Sequence, residues 1–295
     1  CNSGTEAVEA AIKFARKWGK QFENPKTDFI AFQNSFHGRT MGALSATMQE
    51  KYQKSFLPLV PGFTEAVFND IDSVKAALTD STVAVIIEPL QGEGGVSLAS
   101  REFMRALGEL CRQRDILLIV DEVQCGMART GKLHAHQHFD VTPDIMTLAK
   151  PLAGGLPIGA TVVGPRVWPV MQPGDHASTF GGGHFVTSVA SGVFDLLSDP
   201  DFVRSVAEKG EYLHAGLHRL MEKYPSIKEI RGIGLLQGTV VDFPASEAVE
   251  FLEKEGILAC VAGPRVVRFI PPLVAAKTDI DRVLKTYDRC LAERA

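Results

Sequence analysis

The chain has 295 residues, 45% hydrophobic and 22% charged, a balance that supports a sizeable core and excludes disorder as the dominant state. A formal net charge of −4 excludes wholesale nucleic-acid binding and a basic membrane-binding surface; apolar stretches break well before the roughly 18 residues of a spanning helix. The five cysteines are widely spaced with no CxxC pair, so neither a disulfide framework nor a structural zinc is expected, and a reducing cytoplasm is the default location.

The chain begins at Cys1 and enters a helix-start pattern at once, which reads as a fragment lacking its N-terminal part. Ser3-Gly4-Thr5-Glu6 fits a capping box, with Ala7, Ala10, Ala11, Phe14 and Ala15 following at helical spacing. Asp28 to Phe32 reads as a strand, and Ser81 to Ile87 as a strand buried on both faces. A helix from about Arg101 to Arg114 leads to a strand over Ile116–Val120, then to strands at Ile145–Leu148 and Ala160–Val163. This alternation predicts a mostly parallel α/β sheet with helices on both faces. After about Pro200 the pattern changes. A long amphipathic helix from about Phe202 to Lys223 precedes short strands near 227–232 and 235–241, a helix near 245–255, a strand at Val266–Ile270 and a last helix from Lys277. We expect a large domain over 1–200 and a smaller α+β domain over 201–295.

Ligands of open α/β sheets sit at the carboxyl ends of the strands. Four predicted strands lead there into Asn34-Ser35-Phe36-His37-Gly38-Arg39, Glu88-Pro89-Leu90-Gln91-Gly92-Glu93-Gly94-Gly95, Asp121-Glu122-Val123-Gln124 and Ala149-Lys150-Pro151. One rim thus gathers an aromatic ring, an arginine, carboxylates, a glutamine and a lysine. Gly-rich helix starts suit a phosphate. A lysine amine forms a Schiff base with an aldehyde. An acidic residue keeps a pyridinium nitrogen protonated. Together these parts describe a pyridoxal phosphate site, with Phe36 available to stack on the ring.

The segments CNSGTEAVEAAIKFAR, SFHGRTMGALSAT, IIEPLQGEGGV, VDEVQCGMARTGK, PDIMTLAKPLAGGLPIGA, HASTFGGG and VVRFIPPL resemble, in the family's order, the class III (ornithine-type) aminotransferases, above all their acetylornithine branch. The resemblance implies a fold-type I pyridoxal phosphate enzyme, and a missing N-terminal segment. By the same resemblance, Lys150 is the Schiff-base lysine and proton shuttle, Asp121 the partner of the pyridinium nitrogen, and Gln124 the partner of the ring hydroxyl. Gly4 and Thr5 bind the cofactor phosphate, Phe36 stacks on the ring, and Thr179 reaches the phosphate of a neighbouring subunit in a homodimer with shared sites. Arg39 holds a substrate carboxylate, and Arg268 the α-carboxylate of glutamate or 2-oxoglutarate. Glu93 pairs with Arg268 when the amine donor is bound, and Glu88 supports the site near the lysine. The implied reaction moves the terminal amino group of N-acetylornithine to 2-oxoglutarate. Succinylornithine, ornithine, 4-aminobutyrate and a carrier-linked lysine precursor are rival donors. A decarboxylase, an aminomutase and an inactive folded fragment are the other readings.

His37 reads as structural. His134, His136 and His138 suggest a metal only weakly, because on a helix only the first and last share a face; no metal is expected there. After Ser178-Thr179-Phe180-Gly181-Gly182 the family usually has Asn-Pro, opening a helix. Here Gly183-His184 stands instead, which puts the helix start in question but leaves Thr179 in place.

Overall fold

The computed structural model describes residues 1–294. They form two compact units: Cys1–Pro89 with Ala99–Met127 and His136–Leu196, and Leu90–Leu98 with Ala128–Ala135 and the chain from Leu197 onward. The segments at 90–98 and 128–135 thus belong with the later part of the chain, which a division by chain position does not foresee.

The first unit is built on a six-stranded sheet. Its strands are β1 (Asp28–Phe32), β2 (Phe63–Ala66), β3 (Thr82–Ile87), β4 (Leu117–Asp121), β5 (Ile145–Leu148) and β6 (Ala160–Val163), ordered 2-1-3-4-5-6. All neighbours are parallel except β5 and β6, which are antiparallel. Strand β2 escapes the sequence pattern because it is a short edge strand whose middle residues, Thr64 and Glu65, face solvent. β3 is buried at every position, as its unbroken apolar run requires.

Helix α1 (Gly4–Gly19) starts where Ser3 accepts the Glu6 N–H, at 3.3 Å. It buries Ala7, Val8, Ala11, Ile12, Ala15 and Trp18, one apolar stripe, in a core with Phe29, Ile86, Ile119 and Ile145 of the sheet. Helix α2 (Arg101–Gln113) is capped by Ser100, whose hydroxyl accepts the Phe103 N–H at 3.0 Å. Helix α3 (His184–Ser198) forms without Asn-Pro; its first turn closes from Thr187 N–H to the Gly183 carbonyl at 3.1 Å. This helix leaves Phe185 75% and Leu196 53% exposed.

The second unit carries a four-stranded antiparallel sheet. Its strands are β7 (Ile227–Ile233), β8 (Leu236–Val241), β9 (Cys260–Val261) and β10 (Val266–Phe269), ordered 9-10-8-7. Three helices accompany it: α4 (Pro200–Lys223), α5 (Ala245–Lys254) and α6 (Lys277–Ala292). Asp199 caps α4 by accepting the N–H groups of Asp201 and Phe202, and Pro200 occupies the first turn, where no intrahelical donor is lost. α4 buries Leu213, Leu217 and Leu220, and α6 buries Leu284 and Tyr287. The Tyr287 hydroxyl lies 2.8 Å from that of Thr239 in β8.

Candidate active site

The sheet order reverses between β1 and β3, so a crevice opens at their carboxyl ends. A cavity of about 410 Å³ lies there within the first unit. Gly4 and Thr5 of α1, Phe36, His37 and Arg39 after β1, Glu88 after β3, Asp121 and Gln124 at the end of β4, and Lys150 after β5 all line it. These residues span nearly 150 positions of sequence; the parallel crossovers bring them to one rim.

Asp121 is nearly buried, and its carboxylate accepts three hydrogen bonds. Oδ1 takes the Val123 N–H at 3.0 Å and the Thr147 hydroxyl at 2.9 Å, while Oδ2 takes the Nδ1–H of His37 at 2.7 Å. A carboxylate offers about four acceptor positions, so about one remains for a further donor. Thr147 stands directly across from Asp121 in the β4–β5 register. His37 has no exposed side-chain surface, and its Nε2 has no hydrogen-bond partner. Burial opposes the imidazolium, yet the Asp121 hydrogen bond and the charges of Asp121 and Glu88 outweigh it, so the His37 pKa is raised.

Glu88 Oε2 accepts the backbone N–H of Phe36 at 2.9 Å and so holds the loop that carries the aromatic ring. Burial pushes the Glu88 carboxyl up to about 7; His37 opposes this, Asp121 adds to it, and the Phe36 N–H and Lys150 oppose it again. Phe36 meets Tyr52 edge-on at 5.8 Å, and the Arg39 guanidinium lies 4.0 Å from the Tyr52 ring centre and 5.5 Å from that of Phe36. Lys150 sits at a φ of 40°, a left-handed conformation that costs a lysine about 1–3 kcal/mol and that clusters at functional sites.

Two glycines are dictated by close approach. A Cβ on Gly4 would lie 2.7 Å from Val123 Cγ1, and one on Gly38, at a φ of 136°, would lie 2.3 Å from Thr5 Oγ1. The Thr5 hydroxyl is engaged with the 38–40 loop: it accepts from the N–H groups of Arg39 and Thr40 and pairs with the Thr40 hydroxyl at 2.9 Å. A phosphate at the N-terminus of α1 would therefore meet backbone N–H groups first. Thr179 is exposed and does not line the cavity. Its loop is tied to α1 and the residues just before it: Asn2 Nδ2 donates to Ser178 Oγ at 3.0 Å, and Lys17 of α1 pairs with Asp175.

Arg268 and Glu93 lie in the second unit. Arg268 is 8% exposed, and its Nη1 donates to Glu93 Oε1 at 2.8 Å and to the Gly92 carbonyl at 2.7 Å. His136 Nδ1 lies 2.8 Å from Glu122 Oε1. No group of three or more His, Cys, Asp or Glu side chains placed to hold a metal occurs among the described residues.

Sequence reasoning did not assign His37 or Thr147 to the site. Both contact the Asp121 carboxylate. His37 had a usable signal, its place beside Phe36 in a strand-end loop. Thr147 had none, because its role depends on strand register.

The chain belongs to the class III aminotransferase family, whose model matches residues 1–291. It is 52% identical over 296 residues to the probable mitochondrial acetylornithine aminotransferase of Dictyostelium discoideum, covering 97% of this chain and 65% of that protein. The chain thus spans slightly less than two thirds of that relative. Among solved structures, it resembles the ornithine aminotransferase of Toxoplasma gondii, whose active site is described as partly occupied by pyridoxal phosphate (TM-score 0.94, 36% identity, 100% of this chain and 72% of that one). It also resembles the N-acetylornithine aminotransferase of Stenotrophomonas maltophilia K279a (TM-score 0.84, 35% identity, 99% and 74%).

Proposed function

We propose that the chain carries the pyridoxal phosphate site of an aminotransferase that moves the terminal amino group of N-acetylornithine to 2-oxoglutarate, giving N-acetylglutamate semialdehyde and glutamate. The observation that carries this reading is the cavity that gathers Lys150, Asp121, Gln124, Phe36 and the N-terminus of α1 in a chain of this family. The donor set fits the cofactor: an amine, a carboxylate with an acceptor position left, an aromatic face and helix N–H groups. When bound, pyridoxal phosphate supplies an electron sink that stabilises negative charge at the substrate carbon that loses a proton.

The protein's own residues do the rest. The Lys150 amine would hold the cofactor and then take the proton from the substrate carbon that bears the amino group. Asp121, oriented by His37, Thr147 and the Val123 N–H, keeps a proton on the ring nitrogen. Gln124 holds the ring hydroxyl, Phe36 packs on the ring face, and the backbone of Gly4 and Thr5 meets the phosphate. Arg268 takes a substrate carboxylate. Glu93 neutralises that arginine when the substrate end beside it bears no carboxylate, a use supported by the 2.8 Å pair. Arg39 serves the carboxylate at the other end of the substrate. Glu88 acts through Phe36 and the charge cluster rather than by touching substrate.

The partner is a second copy of the chain, supported by the apolar surface of α3 and by the exposed Thr179. The five cysteines form no disulfide among the described residues, which suits a reducing compartment such as the cytoplasm. No helix of the described residues is long and apolar enough to cross a membrane.

A donor panel tests the proposal. With pyridoxal phosphate and 2-oxoglutarate supplied, N-acetylornithine should give the highest kcat/KM, with one glutamate formed per amine consumed. Preference for ornithine, succinylornithine or 4-aminobutyrate would reassign the donor, and amine consumption without glutamate formation would overturn the reaction class.

A further inference from the structure

In the second unit, His214 and His218 stand one turn apart on α4, and both are half-buried. Their Nε2 atoms are 3.1 Å apart, and His214 Nδ1 lies 3.2 Å from Gln237 Oε1. The neighbours determine which nitrogen carries the proton. Gln237 is buried, and its amide nitrogen donates to the carbonyls of Gly210 and Gly234, both at 2.7 Å. Only the amide NH2 can donate to carbonyls, so Oε1 faces His214 and accepts. His214 Nδ1 therefore carries hydrogen, and the Nε2 of the neutral ring presents a bare lone pair to His218. In the metal-free protein His218 Nε2–H donates to that lone pair.

From this we infer that His214 and His218 form a bidentate site for a late first-row divalent metal ion such as Ni²⁺, Cu²⁺ or Zn²⁺. Imidazole ligands suit these ions and not Mg²⁺ or Ca²⁺. At metal–nitrogen distances of about 2.05 Å, nitrogens 3.1 Å apart subtend roughly 100° at the metal, between square and tetrahedral angles. The Gln237 bond is the outer contact that ligating histidines ordinarily make; it sets the tautomer and ring orientation before the metal arrives. On binding, His218 moves its proton from Nε2 to Nδ1, so no net proton is released. Water completes the coordination, because the described residues gather no third ligand of the His, Cys, Asp or Glu type. The bound ion staples one turn of α4 and, through Gln237, fastens it to β8.

The test titrates Ni²⁺ alone into the whole chain at about pH 8. Calorimetry counts the bound ions, and X-ray absorption counts the imidazole ligands. The expected result is an ion held by two imidazoles, with a metal-dependent rise in unfolding temperature. His218→Ala should remove that ion and the rise, or weaken binding at least tenfold, as should His214→Ala. His138→Ala, in the other histidine-rich segment, should retain both. Circular dichroism checks that each variant folds, and the solvent-accessible His218 position allows His218→Gln as a second replacement of similar size. Ni²⁺ uptake and a thermal shift that persist unchanged in folded His218→Ala or His218→Gln protein would overturn the assignment, as would the absence of uptake in the parent.

Discussion

Replacing Glu88 by Gln tests the electrostatics beneath the cavity. The carboxyl is buried, and burial with its neighbours raises its pKa from 4.5 to about 7. A folded state that raises a carboxyl pKa binds the proton more tightly than the unfolded chain does. The resulting stability is fully present below about pH 4.5 and is lost as pH rises through about 7. Between about pH 5 and pH 8 the loss amounts to about 2 to 3 kcal/mol. Gln cannot ionise, matches the shape, and can still accept the Phe36 N–H through Oε1, as Glu88 does at 2.9 Å. The stability of Glu88→Gln relative to the parent should therefore rise by that amount across the interval, in favour of the variant. His37 opposes the shift, so His37→Gln in both backgrounds should widen the gap. Urea unfolding followed by circular dichroism at several pH values supplies the measurement. A gap that stays flat from pH 5 to pH 8 would show that the Glu88 carboxyl titrates alike in the folded and unfolded chain, and the reasoning would fail.

Lys150→Ala should abolish covalent retention of the cofactor, read by borohydride reduction and intact mass; retention in the variant would move the attachment elsewhere. Asp121→Asn keeps shape but removes charge, and should lower kcat by on the order of 10²-fold, as with other lost electrostatic stabilisers; a loss under about threefold would mean that the ring nitrogen is managed by another group. Glu93→Ala removes the carboxylate that Arg268 meets at 2.8 Å, so single-turnover rates should fall for N-acetylornithine and hold or rise for glutamate, with Arg268→Ala doing the reverse. Equal slowing of both half-reactions by Glu93→Ala would make Glu93 a structural support only.

Local chemistry was legible wherever one segment determines its own conformation. The Ser3 cap, the stripe from Ala7 to Ala15, the apolar run of β3 and the strand ending at Asp121 are properties of neighbouring residues, and periodicity reports them. The rim residues were legible for a related reason, since strand ends in a parallel sheet point to one edge whatever the strand order. α3 was left out of that reading although Val186, Val189, Ala190, Val193 and Leu197 recur at helical spacing, and β2 was missed because four residues with an exposed middle make no pattern. Other features depend on partners far along the chain. Thr147 reaches Asp121 because β4 and β5 pair in one register, and His37 reaches it across 84 positions. The elevated Glu88 pKa exists because folding removes water from several charges at once. The amino-acid sequence by itself determined the segments, the rim and the kinds of chemical group available; only the tertiary structure decided which groups share protons and which are dry, because desolvation and hydrogen bonding between distant residues arise when the chain closes on itself.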